Sequence, residues 1–258
     1  MVMEETLRPV CKRHILHYDR NTKRFGIQGI LRECIKSFYI IENLPEIRRR
    51  YIQIFSVVMT NISKRLNTYE YTNAMAEYFI EQPNLQKLMM EVENTAQDNY
   101  KFFIEMVTNC TGMIEHFMSG NVEVFYGHCL KAAEMYGQDE DRESVNIAVG
   151  SLYTNTTGDL LGGETHYKAA FDIVEHNERS LLLATVYQRL GWNTLLQGQT
   201  TGAIRYFKKS LAITVTSGEK FKLIAVQSLS SMGISLTLLG LFPHLFHMIL
   251  FQVTESVS

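Results

Sequence analysis

One stretch constrains the fold of this chain more than any other: Ala184 to Ile213, ATVYQRLGWNTLLQGQTTGAIRYFKKSLAI. Tyr187, Leu190 and Gly191 fall on one face at helical spacing, and Ala203, Ile204, Phe207 and Leu211 do so in a second segment. Between them Gly198 supplies a residue that can take the left-handed conformation ending a helix. Small residues mark where the two helices approach: Gly191 on the first, facing Ala203, with Ser210 further along the second. Two helices this short cannot bury their apolar faces alone, so neighbours of the same kind are expected.

The order and spacing of Tyr187, Leu190, Gly191, Gly198, Ala203, Phe207 and Ser210 resemble a tetratricopeptide repeat, a unit of about 34 residues. Thr194 stands at the family's aromatic position and Val215 at its closing proline. Placing the turn glycine at the same phase gives Gly120, Gly158, Gly198 and Gly240, at spacings of 38, 40 and 42 residues. In the second unit Ser151, Gly158, Gly163, Tyr167 and Ala170 take the places of Gly191, Gly198, Ala203, Phe207 and Ser210. The first unit has Met113 and Phe125 at small positions but keeps Ala132. The fourth keeps Leu229, Met232, Gly233 and Gly240, then places Leu245 at the alanine position. The repeats are thus expected over about 106–139, 144–177, 184–217 and 226–258. The resemblance implies an all-α, tetratricopeptide-like superhelix of helical hairpins (an α-solenoid) whose first helices line a concave surface.

Residues 1–45 read differently. Leu7 to Leu16 can form a short helix, residues 17–28 a β-hairpin around the polar turn ArgAsnThrLysArg, and Ile30 to Tyr39 an amphipathic helix. Helix, hairpin, helix is the form of a winged-helix remnant. The hairpin followed by Ile30-Leu31-Arg32 resembles the winged-helix end of NB-ARC and related STAND signalling NTPases. Gln28 and Gly29 replace that family's His and Asp, so nucleotide sensing is not carried over. Residues 46–96 read as a helical connector. It comprises a helix from Glu46 to about Leu66, striped by Ile47, Tyr51, Ile54, Phe55, Val58 and Ile62, then helices over Tyr71–Ile80 and Leu85–Glu93 on either side of Pro83. Phe79, Glu81 and Asn84-Leu85 follow the order seen in the linkers of those NTPases. The repeats are expected over 97–258.

Chemistry is sparse. The chain has no phosphate-binding glycine loop, no HExxH and no nucleophile elbow. His244 and His247 lack a third ligand nearby, so no metal or cofactor is expected. A net charge of −2 excludes a global field for nucleic acid, and Arg48–Arg50 read as a solvated face. The most apolar run, Ile234 to Val253, is interrupted by Pro243, His244, His247 and Gln252, so no membrane span is expected. Four separated cysteines without a CxxC pair, and a start unlike a signal peptide, point to a cytoplasmic protein. The acidic run Asp139-Glu140-Asp141 reads as a solvated loop between repeats.

These features point to a non-enzymatic module that binds a protein or peptide. Asn146, Tyr153, Asn155, Gln188, Asn193 and Gln227 are the candidate contacts, as first-helix residues turned away from the packing stripe. The resemblances imply a scaffold or sensor arm of a signalling NTPase; a stand-alone adaptor or co-chaperone is the other form. The apolar tail from Leu241 is a candidate surface for self-association.

Overall fold

The computed structural model describes residues 16–19, 24–27, 43–66, 68–118, 122–175, 180–215 and 221–240. Strands β1 (Leu16–Asp19) and β2 (Arg24–Ile27) pair antiparallel, with Tyr18 opposite Phe25. This is the hairpin expected around the polar turn, although Leu16, expected to close a helix, opens β1. The flanking helices expected over 7–15 and 30–39, the turn at Gly120 and the apolar tail from Leu241 lie outside the described residues.

Eight α-helices follow among the described residues: α1 (Leu44–Leu66), α2 (Tyr71–Phe117), α3 (Val122–Tyr136), α4 (Asp139–Leu152), α5 (Leu160–Glu175), α6 (Ser180–Leu196), α7 (Thr200–Val215) and α8 (Lys222–Leu238). Glu46 in the first turn of α1, and Lys64 and Arg65 in its last, complement the helix dipole. The buried stripe of α1 is Ile52, Ser56, Met59, Ile62 and Leu66. It is rotated from the expected stripe, leaving Ile47 and Ile54 exposed. Asp139, Glu140 and Asp141 are the first turn of α4, and Asp141 accepts a hydrogen bond from the Gln138 backbone N–H at 2.9 Å. The acidic run is therefore a helix start and not a loop, placed where carboxylates satisfy free amides and the dipole.

Helix α2 corrects the expected break at Pro83. The helix runs through the proline, which is exposed, and does not stop until Phe117. It is nevertheless not a rod. Tyr78 and Phe117 lie 39 positions apart, which a straight helix would separate by about 58 Å. Their rings sit 5.8 Å apart, and the Tyr78 hydroxyl donates to the Phe117 carbonyl. Glu91 still faces α1 through Arg48 at 3.8 Å, whereas Tyr100 already faces Tyr136 of α3 at 6.3 Å. The chain therefore reverses between Glu91 and Tyr100.

With that reversal the architecture is a stack of antiparallel hairpins: α1 with the first arm of α2, the second arm of α2 with α3, α4 with α5, and α6 with α7. Helix α8 opens the next. The first helices of successive hairpins lie side by side. The second arm of α2 runs parallel to α1, held by Ser56 Oγ to Met106 Sδ at 3.3 Å and Thr60 Oγ1 to Cys110 Sγ at 3.8 Å. The hairpin arrangement thus begins near Leu44, and the segment read as a connector carries it too. One core joins α1 to α4, and smaller clusters continue it through α5–α6 and α6–α8.

The repeat positions are visible as contacts. Gly158, Gly198 and Gly240 all adopt left-handed turns, with φ of 74°, 79° and 70°. Ala203, Phe207, Ser210, Gly163, Tyr167 and Ala170 are buried on the second helices, and Leu190 on the first; Tyr187 is half-buried, its ring 5.5 Å from Phe171. Gly191 is where two helices nearly touch, but the group it admits is Phe207 and not Ala203: a Cβ there would meet Phe207 Cε1 at 2.6 Å. In the previous hairpin it is Gly150 whose Cβ would meet Tyr167 Cε1, also at 2.6 Å. Gly150, one residue earlier than the expected Ser151, is thus the counterpart of Gly191. The extra residue is absorbed by a π-helical turn, Tyr153–Thr157, that closes α4 before Gly158.

Candidate functional site

Three successive first helices line one groove of about 180 Å³. Thr108 and Thr111 come from the second arm of α2; Ser144, Ile147, Ala148 and Ser151 from α4; Leu182, Thr185 and Arg189 from α6. Each set recurs at three, four or seven positions, so each presents one helical face. Its hydroxyls are partly tied down: Thr108, Thr111 and Thr185 donate to the carbonyls of Ile104, Val107 and Leu181 on their own helices. Their lone pairs remain as acceptors beside the aliphatic Ile147, Ala148 and Leu182.

At one end of the groove a buried polar group gathers. Burial outweighs the attraction of Arg189 and a hydrogen bond from Ser151, and pushes the Glu115 carboxyl up to about 7. Tyr126 of α3 and Tyr167 of α5 sit next to Glu115 with their phenols driven up by burial. Glu115 Oε1 and Arg189 Nε are both buried without a hydrogen-bond partner. Cys110 and Cys129 are free and buried, and burial raises both thiols.

The six residues expected to meet a partner are placed elsewhere, and none lines this groove. Asn146 and Tyr153 are brought together on His166 of α5: Asn146 Oδ1 lies 2.9 Å from His166 Nδ1, and the Tyr153 ring stacks on the imidazole at 5.5 Å. Burial holds that imidazole below its usual range. Asn146 also donates to the Arg142 carbonyl at 2.8 Å. Asn193 is buried and donates to the Leu160 carbonyl at 2.9 Å, tying α6 to the start of α5. Gln188 is buried with Oε1 unpartnered. Asn155, on the π-turn, and Gln227, on α8, are exposed, and Asn155 donates to Ser151 Oγ at 3.0 Å. First helices are packed on three sides here, by their own second helix and by both neighbouring hairpins. A residue off the main apolar stripe therefore often lands at another packing face. The groove residues carried a weaker signal in the sequence, namely small or hydroxyl side chains repeating at helical spacing.

No group of three metal-ligating side chains occurs among the described residues, and no described helix is long and apolar enough to cross a membrane.

Stacked helical hairpins whose first helices share a groove, two of them with an aromatic ring of the second helix packed over a glycine of the first, define a helical-repeat protein. Residues 141–214, spanning most of α4, α5, α6 and α7, match the model of the tetratricopeptide repeat family. These two hairpins are similar to that family's repeats, which generally mediate contacts between proteins. No curated protein matches the chain.

Proposed function

We propose that this protein is a non-catalytic interaction module that receives an extended segment of a partner protein in the groove between α2, α4 and α6. The observation that carries the reading is the groove itself: three parallel helical faces contribute acceptor hydroxyls and aliphatic surface to one cleft. An extended chain offers N–H donors to the hydroxyls and apolar side chains to Ile147, Ala148 and Leu182. Asn155 and Gln227, both exposed, remain available to a partner larger than the groove. The buried free thiols Cys110 and Cys129 suit a reducing compartment, which favours a cytoplasmic setting. Neither nucleic acid nor a membrane is the partner in this reading.

Selection of displayed peptides against the full chain tests it. Enriched peptides are expected to lose binding to Ser144→Trp and Thr185→Trp, which fill the groove. They are expected to keep binding to Lys208→Glu on the exposed side of α7. Binding that ignores both tryptophans would overturn the groove as the site.

The β1–β2 hairpin preceding the helical stack favours a second, narrower reading: that the module is the arm of a signalling NTPase of the NB-ARC or STAND type. The genomic sequence upstream of Met1 tests this, since an adjoining phosphate-binding loop is expected and its absence removes the reading.

A further inference from the structure

Arg189 lines the groove from α6, and Glu115 stands one helical turn beyond Thr111 on α2, at the end where Ser151 and Arg189 meet. The two charges interact, yet no ion pair within 4.0 Å joins them among the described residues. Each keeps a buried polar atom unpartnered, Glu115 Oε1 and Arg189 Nε. Buried groups of this kind are normally paired, and an unpaired one costs free energy unless a further group completes it.

The groups facing Glu115 settle the charge of the site. They are Ser151 on α4, Arg189 on α6, Tyr126 on α3 and Tyr167 on α5, with Cys110 and Cys129 beyond Tyr126. Burial keeps both phenols and both thiols protonated at neutral pH. Arg189 is the one cation among the described residues that line the groove. When Glu115 holds a proton, it becomes a hydrogen-bond donor beside an uncompensated guanidinium.

We propose that this end of the groove is a proton-linked receptor for a single acidic side chain, Asp or Glu, within the partner segment, held by the Arg189 guanidinium and the carboxyl proton of Glu115. The proposal rests on the reading of the groove as a peptide site. The groove runs from Arg189 along three helices, which gives the residues flanking the acidic side chain a surface to lie on, and one guanidinium matches one carboxylate. Two carboxyl groups this close share a proton in preference to both ionising. Ligand binding therefore takes up a proton at Glu115. If the anion enters only with Glu115 protonated, a carboxyl titrating at about 7 makes affinity about tenfold higher at pH 6 than at pH 8.

The test uses the full chain and pools of acetylated, amidated heptapeptides, free of histidine, with Glu, Asp, Gln, Ala or Lys at the centre. Fluorescence polarisation reads binding at pH 6 and pH 8. The Glu and Asp pools are expected to bind most tightly, with about a tenfold loss from pH 6 to pH 8. Glu115→Gln is expected to keep the acidic preference and abolish the pH dependence; Arg189→Gln is expected to remove the preference. Arg189→Lys, which keeps the charge, is expected to retain part of it and guards against misfolding of the neutral variant. Saturable binding with no acidic preference, or a pH dependence that survives Glu115→Gln, would overturn this inference and leave the groove reading standing. Ala-centred pools with a free C-terminal carboxylate that outbind the Glu pool would overturn the internal side chain. If no pool saturates at either pH, the peptide groove fails with it.

Discussion

Gly191 and Gly150 lack side chains because the rings of Phe207 and Tyr167 occupy the space where a Cβ would stand, at 2.6 Å in both cases. Phe207 and Tyr167 are almost fully buried and cannot swing away. Overpacking should therefore outweigh the roughly 1 kcal/mol that alanine gains over glycine within a helix. Gly191→Ala and Gly150→Ala are each expected to destabilise, and Gly191→Leu by about 1–3 kcal/mol or more, read as a lower urea midpoint. Gly112 and Gly127 are the internal control. Both lie inside helices with nothing within 4 Å of the place an added methyl would take, so Gly112→Ala and Gly127→Ala should raise stability by about 0.5–1 kcal/mol. The reverse ordering would refute the packing described here. Glu115 gives a pH-dependent case. Its carboxyl is raised in the folded state, so the fold holds a proton that the unfolded chain releases above about 4.5. Stability should thus fall as pH rises from about 4.5 to about 7 and level off above. Glu115→Gln, a mimic of the protonated form, should match the wild type at pH 4.5 and exceed it at pH 8 by about 1–2 kcal/mol, discounted for partial exposure. Urea unfolding at the two pH values decides it.

At the scale of elements, polar ties hold the hairpins in register. Ser228 Oγ donates to Ser210 Oγ at 3.0 Å, and Ser210 Oγ donates to the Ala184 carbonyl at 2.8 Å, which links α8, α7 and α6 through buried hydroxyls. Asn193 links α6 to α5 at the Leu160 carbonyl, and Gln197 donates to Glu164 at 2.9 Å one turn further on. Removing the Asn193 amide breaks the tie between α5 and α6 and leaves a gap at a buried site. Asn193→Ala should cost about 1–3 kcal/mol, and Asn193→Asp more, since it keeps the shape but loses the donor and buries a charge. Equal melting temperatures for the two variants and the wild type would show that the tie carries no weight. The π-turn at Tyr153–Thr157 is the other element-scale device: it inserts one residue between Gly150 and Gly158 without moving Tyr167 off its glycine.

For the whole molecule, each hairpin touches mainly its neighbours, so stability should divide into local and nearest-neighbour parts. A lesion at the α6–α7 contact should loosen α6, α7 and α8 while leaving α1 to α3 protected. Hydrogen exchange on Gly191→Leu is expected to show this gradient from the lesion. Uniform loss of protection along the chain would mean a single cooperative unit instead.

The sequence by itself determined the helical-hairpin class, the left-handed turns at Gly158, Gly198 and Gly240, and the buried faces of α5 and α7. Those are local matters of periodicity and backbone freedom, written within some 30 residues. It did not determine which residues face the groove. Asn146 and Asn193 look like free amides along an amphipathic helix, but the stacking of neighbouring hairpins buries both. Nor did Pro83 give the break it suggests, since the helix runs through it; the reversal falls between Glu91 and Tyr100, a stretch without glycine or proline. The displacement from Ser151 to Gly150 was equally hidden, since a π-turn alters phase without altering composition. Only the tertiary structure brings Glu115 of α2, Ser151 of α4 and Arg189 of α6 to one place. Pairing across helices far apart in sequence depends on the rotation of each helix in the stack, and that is fixed by packing and not by the sequence of any one helix.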